Sequence, residues 1–345
     1  DNNTPGNPQI MVLESPDMKS WKYVGQVWTG KNTSFGPRIE CPQMMDRGLV
    51  SPKSGLVGVL SSYPGTFQNA LHVGYPKGNG SSIEYISPTE GYILDFGVLY
   101  AGQTMYDPEH ERRLYWGWIV GTRSCGRLCD GNDWKGALSL PRQISIRDDG
   151  SLIQDVAPEI NALRVTPAYH SGPLHLEPGE ATEVDIPQGL TVEMEVLIDG
   201  DLSGGSILVR TSEDMVEYTR ISYTHDFGLM VCSVSANEPT DRLPYQPSCA
   251  SAPPKLRKPK PNNAKSNANN SDFKSSEQSG RRNFIRIYVD VSVLEVHVNR
   301  EISLTYRMYP TAQNASGVYV VNSRHDCGLS IRNLTVWGMA SAYQP

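Results

Sequence analysis

The chain has 345 residues, a formal net charge of -6 at pH 7 and 38% hydrophobic residues. That length exceeds the usual size of one core, so we predict a globular protein of two domains. The sequence contains no run of eighteen apolar residues and no charged-then-apolar leader after Asp1. We therefore expect neither a membrane span nor a membrane partner, and we interpret the start as processed or truncated.

Cysteines and glycosylation acceptors point to a secreted or vacuolar protein. The six cysteines are Cys41, Cys125, Cys129, Cys232, Cys249 and Cys327, and Asn-X-Ser/Thr triplets begin at Asn2, Asn32, Asn79, Asn269, Asn314 and Asn333. The alternative is that an Asn- and Ser-rich chain contains such triplets by chance. Cys125 and Cys129 are spaced to close a small loop. They have no second pair or nearby histidine that would complete a zinc site, so we predict no metal, and we also expect no cofactor.

Short β-strands dominate the predicted elements. Residues 190–198 and 285–290 alternate apolar and polar side chains, which is typical of half-buried strands. Further candidate strands, in chain order, are 55–62, 114–120, 206–210, 217–223, 229–235, 292–299, 302–309 and 317–322. Residues 156–164 form the one helical candidate, and we place a domain boundary near residue 165. The pattern predicts an all-β protein, in sandwich or propeller form.

A basic stretch interrupts the second half. Residues 251–282 hold eight basic residues, with Asp272 and Glu277 as the acids and Phe273 as the one aromatic. The charge permits a nucleic-acid partner, but the Pro-, Asn-, Ser- and Lys-rich composition favours a disordered surface insertion. We therefore predict no nucleic-acid partner.

Several short motifs carry more specific information. They are residues 39–42 (IECP), 94–97 (LDFG), 106–108 (YDP), 116–118 (WGW) and 134–142 (WKGALSLPR). In this order they resemble the later part of the catalytic domain of glycoside hydrolase family 32, the sucrose- and fructan-cleaving invertases, levanases and inulinases. The resemblance implies the later blades of a five-bladed β-propeller over residues 1–164.

The second half resembles the same family. Residues 284–310 (FIRIYVDVSVLEVHVNREISLTYRMYP) are similar to a segment of the family's C-terminal β-sandwich, which implies a sandwich domain over residues 165–345. Asp290 and Glu295 are conspicuous acids in apolar strands, and we interpret them as structural positions of this sandwich.

The resemblance also implies a set of site residues. A retaining glycosidase uses two carboxyl groups about 5–5.5 Å apart, one as nucleophile and one as acid/base. Glu40 matches the family's acid/base, although Gln43 stands where the family usually has Asp. The resemblance assigns Asp95, Gln103, Cys41 and Trp118 to substrate binding.

Residue types alone leave other interpretations open for these positions. A single Glu between Ile39 and Cys41 is most often a solvated strand residue, and Asp95 is equally well explained as a turn residue before Gly97. Trp116 and Trp118 alternate along one strand, so they share a face that serves either core packing or a sugar platform.

The family's nucleophile segment, similar to WMNDPNG, and its Arg-Asp-Pro segment are not found in the sequence. We therefore expect the chain to carry the acid/base but to lack the nucleophile, and a companion N-terminal chain is one way to complete the propeller. Three hypotheses follow: part of a working fructosidase acting on sucrose or fructans, an inactive fructan- or glycan-binding homologue, and a truncated product. We favour the first, because Glu40, Asp95 and Gln103 are all present. Sequence does not choose among sucrose, inulin and levan, or between hydrolase and fructosyltransferase.

Overall fold

The computed structural model describes most of the chain, and every structural statement below concerns these residues. They are 9–28, 38–46, 48–49, 55–77, 82–87, 91–121, 136–147, 150–186, 191–234, 249–256, 282–312 and 314–342. The predicted basic insertion has described residues at its two ends, and there the prediction is wrong, because residues 251–252 and 282 belong to strands. Its remainder, on 257–281, and the predicted loop between Cys125 and Cys129 lie outside the described residues. Both remain predictions.

Small antiparallel sheets make up the N-terminal half. Its strands are β1 (Gln9–Glu14), β2 (Lys22–Trp28), β3 (Glu40–Met45), β4 (Val57–Tyr63), β5 (Gln68–Lys77), β6 (Ser82–Tyr85), β7 (Tyr92–Ile93), β8 (Leu99–Asp107), β9 (Arg112–Ile119), β10 (Ala137–Leu138), β11 (Arg142–Ile146) and β12 (Leu152–Val156). β1 pairs with β2. A second sheet has the order β3-β4-β5-β6 with β7 against β5, and a third has the order β10-β9-β11-β12 with β8 against β9. The described sheets do not close into a ring, in agreement with the predicted partial propeller.

An apolar core packs between the second and third sheets. Leu60, Leu71, Leu94, Leu99 and Tyr115 are all fully buried in it. β4 is buried at every position because it lies in the middle of its sheet with packed side chains on both faces. This core fixes the relative position of β3 and β8, the two strands that carry most of the predicted site residues.

A short 3-10 helix, η1 (Pro158–Leu163), connects the two halves, where the sequence predicts the helical segment. The strands after it are β13 (Arg164–Ser171), β14 (Leu174–Leu176), β15 (Ala181–Glu183), β16 (Thr191–Asp199), β17 (Gly205–Thr211), β18 (Tyr218–Thr224), β19 (Gly228–Val234), β20 (Cys249–Ala252), β21 (Arg282–Asp290), β22 (Val293–Val298), β23 (Ile302–Arg307), β24 (Gly317–Asn322), β25 (Leu329–Ile331) and β26 (Asn333–Met339). β13 starts next to the predicted boundary and pairs with β26, the last strand.

The C-terminal half is a sandwich of two six-stranded sheets. One has the order β13-β26-β16-β21-β22-β23 and the other β15-β24-β17-β18-β19-β20, while β14 and β25 form a separate pair. The buried face predicted for residues 190–198 is confirmed, because Val192, Met194, Val196 and Ile198 all enter the core between the sheets. The solvated face is only partly as predicted, because Glu193 is fully buried against Arg164. A disulfide between Cys232 and Cys249, which the sequence did not predict, joins β19 to β20.

A propeller segment pairs with the edge of the sandwich. The backbone N–H of Phe96 donates to the carbonyl of Ser303 at 3.0 Å, and that of Val98 donates to Thr305 at 2.9 Å. Residues 96–98 therefore cover β23, which is the edge strand of its sheet. A Cβ on Gly97 would lie 1.7 Å from the carbonyl oxygen of Thr305, so this close approach requires glycine.

Three fully buried charges reinforce the same interface. Nη1 of Arg142 lies 2.9 Å from Oδ2 of Asp95, and Nη2 lies 2.6 Å from Oε2 of Glu295. Nη2 also donates to Oγ1 of Thr305 at 2.8 Å. Burial alone would lower the pKa of Arg142, but the charges of Glu295 and Asp95 raise it, so the guanidinium stays charged. The sandwich supplies Glu295, in agreement with its predicted structural role.

Candidate active site

Glu40 is positioned by a bulge at the start of β3. It lies opposite Ser62 of β4, whereas Gln43 lies opposite Leu60, so three residue steps on β3 match two on β4. Cys41 supplies the irregularity with a φ of 49°. Because Ser62 and Leu60 point to one side of the sheet, the bulge brings Glu40 and Gln43 to the same side as each other. Glu40 is exposed there.

Gln43 links β3 to β8 through both ends of its amide. Its Nε2 donates to the carbonyl of Thr104 at 2.8 Å, and its Oε1 accepts from the backbone N–H of Thr104 at 2.7 Å and from Oγ1 at 2.8 Å. A carboxylate has no donor for the carbonyl of Thr104. The glutamine therefore suits this contact better than the aspartate usual at this position in the family that the sequence resembles.

A second bulge arranges the residues of β8. Tyr100 lies opposite Trp118 and Gln103 lies opposite Trp116, with the register shift between them and a φ of 49° at Ala101. The two tryptophans share one face of β9, so the bulge also places Tyr100 and Gln103 on that face. Without it, one of these two residues would point to the opposite side.

Tyr100 connects this face directly to Glu40. Its hydroxyl donates a hydrogen bond to Oε2 of Glu40 at 2.7 Å. The ring of Phe67 packs on the ring of Tyr100 with a centroid distance of 5.2 Å. Burial raises the pKa of Tyr100, and the hydrogen bond and charge of Glu40 raise it further, so the phenol keeps its proton and remains a donor.

Several accessible polar and aromatic side chains lie on β3, β8 and β9. Glu40, Cys41, Gln103 and Trp118 are exposed, and 42% of the surface of Trp118 is accessible. Carboxyl and amide groups exchange hydrogen bonds with hydroxyls, and an exposed indole packs against the C–H face of a sugar ring. The arrangement suits a polyol ligand that lies within reach of one carboxylic acid. Among the described residues, no group of three or more His, Cys, Asp or Glu side chains is placed to hold a metal ion.

Comparisons with known proteins agree with this architecture. Residues 2–156 match the family described as the glycosyl hydrolases family 32 N-terminal domain, and residues 159–338 match the glycosyl hydrolases family 32 C-terminal domain. The chain belongs to glycosyl hydrolase family 32. The predicted resemblance is thereby confirmed for both halves.

Family 32 relatives cover the chain to different extents. A sucrose-6-phosphate hydrolase of Vibrio alginolyticus is 33% identical over 164 residues, which are 45% of this chain and 32% of that protein. The fructan 1-exohydrolase w3 of Triticum aestivum is 23% identical over 289 residues, which are 72% of this chain and 45% of that protein. The chain thus spans about a third to just under half of the length of these relatives.

A solved family 32 structure has the same fold. Fructan 1-exohydrolase IIa from Cichorium intybus, in a variant solved in complex with 1-kestose, superposes with a TM-score of 0.68 at 17% identity. The match covers 96% of this chain and 67% of that one. Both the propeller blades and the sandwich described above are therefore the family 32 architecture.

Asp95 is not among the exposed residues on β3, β8 and β9. This position differs from the substrate-binding role predicted for it. Its side chain is fully buried, and its Oδ1 accepts from the backbone N–H of Gly97 at 2.8 Å and of Thr305 at 3.0 Å. Its Oδ2 contacts Arg142 at 2.9 Å and Oγ1 of Thr305 at 2.7 Å. Both oxygens of Asp95 contact groups at the domain interface, because the sandwich edge lies against residues 96–98.

Sequence reasoning missed two residues that shape the site. Tyr100 lies three residues before the predicted site residue Gln103, but its contact with Glu40 joins residues 60 positions apart in the sequence. Asn69 has no sequence signal at all. It is fully buried, its Nδ2 donates to the carbonyl of Leu99 at 3.0 Å, and its Oδ1 accepts from the N–H of Gly102 at 3.0 Å. Asn69 thus holds the backbone on both sides of Tyr100.

Proposed function

We propose that this chain is the part of a β-fructofuranosidase that supplies the acid/base Glu40 for cleavage of β-fructofuranosyl bonds in sucrose or fructans. The observation that carries the proposal is the exposed carboxyl of Glu40, fixed by the Tyr100 hydroxyl beside the exposed Trp118. Membership of family 32 supports the reaction class.

The reaction proceeds by retaining double displacement. A carboxylate attacks the anomeric carbon of the fructosyl unit while Glu40 protonates the departing oxygen. Glu40, now ionised, then takes a proton from the water that hydrolyses the fructosyl-enzyme intermediate. We assign the attacking carboxylate to a segment other than residues 1–345, since the sequence has no match to the family's nucleophile motif.

Substrate binding uses Gln103, Cys41 and Trp118. The exposed amide of Gln103 exchanges hydrogen bonds with sugar hydroxyls, and the indole of Trp118 packs against a ring face. Cys41 lines the site next to Glu40. Asp95 takes no part in contact with the sugar, because both of its oxygens are engaged at the domain interface.

A fructan-binding homologue without turnover is the second candidate. It is favoured by one observation: among the described residues assigned to the site from sequence, Glu40 is the one carboxyl that a ligand reaches, since Asp95 is fully buried. Retaining hydrolysis requires two carboxyl groups at the scissile bond. A protein in which Glu40 were the one carboxyl at the substrate would bind the sugar without cleaving it.

Fructose release decides between the two functions. The assay uses sucrose, 1-kestose, inulin and levan, and it is run on the 345-residue chain and on the whole natural protein that contains it. We expect fructose release by the natural protein, and 1-kestose binding without turnover by the 345-residue chain. Binding of 1-kestose with no fructose release by the natural protein would contradict the hydrolase and support the binding homologue.

We also propose a secreted or vacuolar location. The disulfide between Cys232 and Cys249 and the exposed acceptor Asn314, followed by Ala315 and Ser316, support it. We expect mass spectrometry of the protein from its natural source to show an N-glycan at Asn314. An Asn314→Gln variant expressed through the secretory pathway should lose the mass of one glycan. Unmodified Asn314 in the natural protein would count against this location.

A further inference from the structure

A hydrogen bond from Tyr100 orients the carboxyl of Glu40. Tyr100 donates to Oε2 at 2.7 Å, whereas Oε1 accepts no hydrogen bond from any described residue. An exposed glutamate otherwise samples many rotamers, because it has three rotatable side-chain torsions. The contact therefore selects one orientation and makes the two carboxyl oxygens chemically unequal.

Tyr100 is itself held from several sides. Phe67 packs on its ring, and the buried amide of Asn69 bonds the backbone before and after it, at Leu99 and Gly102. The position of the Tyr100 hydroxyl therefore depends on a buried, satisfied network and not on a mobile surface contact.

The same network reaches the strand opposite Glu40. Oγ of Ser62 donates to Oδ1 of Asn69 at 2.7 Å, and Ser62 is the residue that faces Glu40 in the β3–β4 register. Asn69 thus ties the partner of Glu40 to the backbone that carries Tyr100. Both ends of the Tyr100–Glu40 contact are anchored to one buried amide.

We propose that Tyr100 is a positioning residue for the acid/base: its hydroxyl occupies Oε2 and leaves Oε1 to carry the transferable proton. The role rests on the proposed function. In the step, the O–H bond on Oε1 breaks and a new O–H bond forms on the glycosidic oxygen. That oxygen keeps the electron pair of its bond to the fructosyl carbon and leaves as an alcohol.

The contact is stronger after proton transfer than before it. Glu40 becomes a carboxylate while Tyr100 keeps its proton, and hydrogen bonds to charged acceptors are stronger than those to neutral ones. Tyr100 therefore stabilises the charge that develops on Glu40 as the bond breaks. An interaction that grows toward the transition state raises kcat more than it lowers KM.

Tyr100→Phe tests the role, because it removes the hydroxyl and keeps the ring that packs on Phe67. In the natural protein we expect kcat on sucrose to fall about 10- to 100-fold with little change in KM. Formation of the fructosyl-enzyme from 4-nitrophenyl β-D-fructofuranoside should slow much less, since nitrophenolate leaves without protonation. Tyr85→Phe is the control, because the buried hydroxyl of Tyr85 has no hydrogen-bond partner among the described residues.

A double variant separates this role from a general one. If Tyr100 acts through Glu40, Tyr100→Phe causes no further loss in a Glu40→Gln background. A full additional loss there, or equal losses on both substrates with a lowered melting midpoint, would overturn the proposal. Activity that Glu40→Gln abolishes and Tyr100→Phe leaves unchanged refutes the positioning role alone. A wild-type protein with no fructosidase activity refutes the proposed function, and the positioning role with it.

Discussion

Replacing Glu40 by glutamine lowers kcat for sucrose or 1-kestose by about 10²- to 10⁴-fold, the usual contribution of a general acid/base. Glutamine has nearly the same shape and still accepts the hydrogen bond from Tyr100, but it neither gives a proton to the leaving oxygen nor takes one from water. The melting midpoint should change little, because Glu40 is exposed. Steady-state fructose release by the natural protein measures the effect.

Glu84→Gln is the matched control for this experiment. Glu84 lies on β6 of the same sheet, is also exposed, and pairs with Lys77 at 2.7 Å. Its replacement should leave kcat unchanged, and an exposed ion pair of this kind is worth about 0–1 kcal/mol of stability. Equal rates for wild type and Glu40→Gln would remove Glu40 from the mechanism.

Arg142→Met destabilises the protein by about 3–5 kcal/mol, the cost of removing one partner from a buried ion pair. The variant leaves the carboxylates of Asp95 and Glu295 buried without their shared cation. Because those groups join the propeller to the edge of the sandwich, we expect the contact between the two domains to open first. The midpoint of thermal unfolding and hydrogen exchange at the amides of Phe96 and Val98 measure this.

Arg147→Met provides the comparison. Arg147 also joins the propeller to the sandwich, through Glu301 at 2.9 Å, but both side chains are partly exposed. Its loss should cost about 0–1 kcal/mol. A similar, small effect for Arg142→Met would show that the buried cluster contributes little to the interface.

The stability that Arg142→Met loses should depend on pH because of the buried carboxyl of Glu295. Burial raises the pKa of Glu295 even with Arg142 present, so the folded state binds a proton at this site more readily than the unfolded state does. Without Arg142, the folded state favours protonated Glu295 even more strongly. The free energy of unfolding of the variant therefore rises as pH falls. The deficit relative to wild type should therefore be smaller at pH 5 than at pH 7, as measured by the thermal midpoints.

Strand positions were predictable where side chains alternate regularly. Residues 317–322 were predicted as a strand and form β24, and residues 190–198 correspond closely to β16. Period-two alternation is visible within a short window of sequence, because successive side chains of a strand point to opposite faces and the apolar ones face the core. The 3-10 helix was placed correctly by its proline and by its position between the two halves.

Contacts between distant residues were not predictable from local patterns. The bulges at Cys41 and Ala101 depend on the register with neighbouring strands, and neither residue type signals a positive φ. Asp95 was assigned to the substrate by motif alone. Its burial depends on Thr305, which lies 210 residues later in the chain. The disulfide was equally unpredictable from sequence, since six cysteines allow fifteen different sets of three disulfides.

The most direct test of Glu40 as the acid/base is rescue by azide of the Glu40→Ala variant of the natural protein, with 4-nitrophenyl β-D-fructofuranoside as substrate. The activated leaving group needs no acid, so the variant forms the fructosyl-enzyme but hydrolyses it slowly for lack of a base. Azide attacks without giving up a proton. We predict that it accelerates turnover and yields β-fructosyl azide with retained configuration. Slow turnover that azide does not accelerate, with no azide product, would contradict the assignment of Glu40.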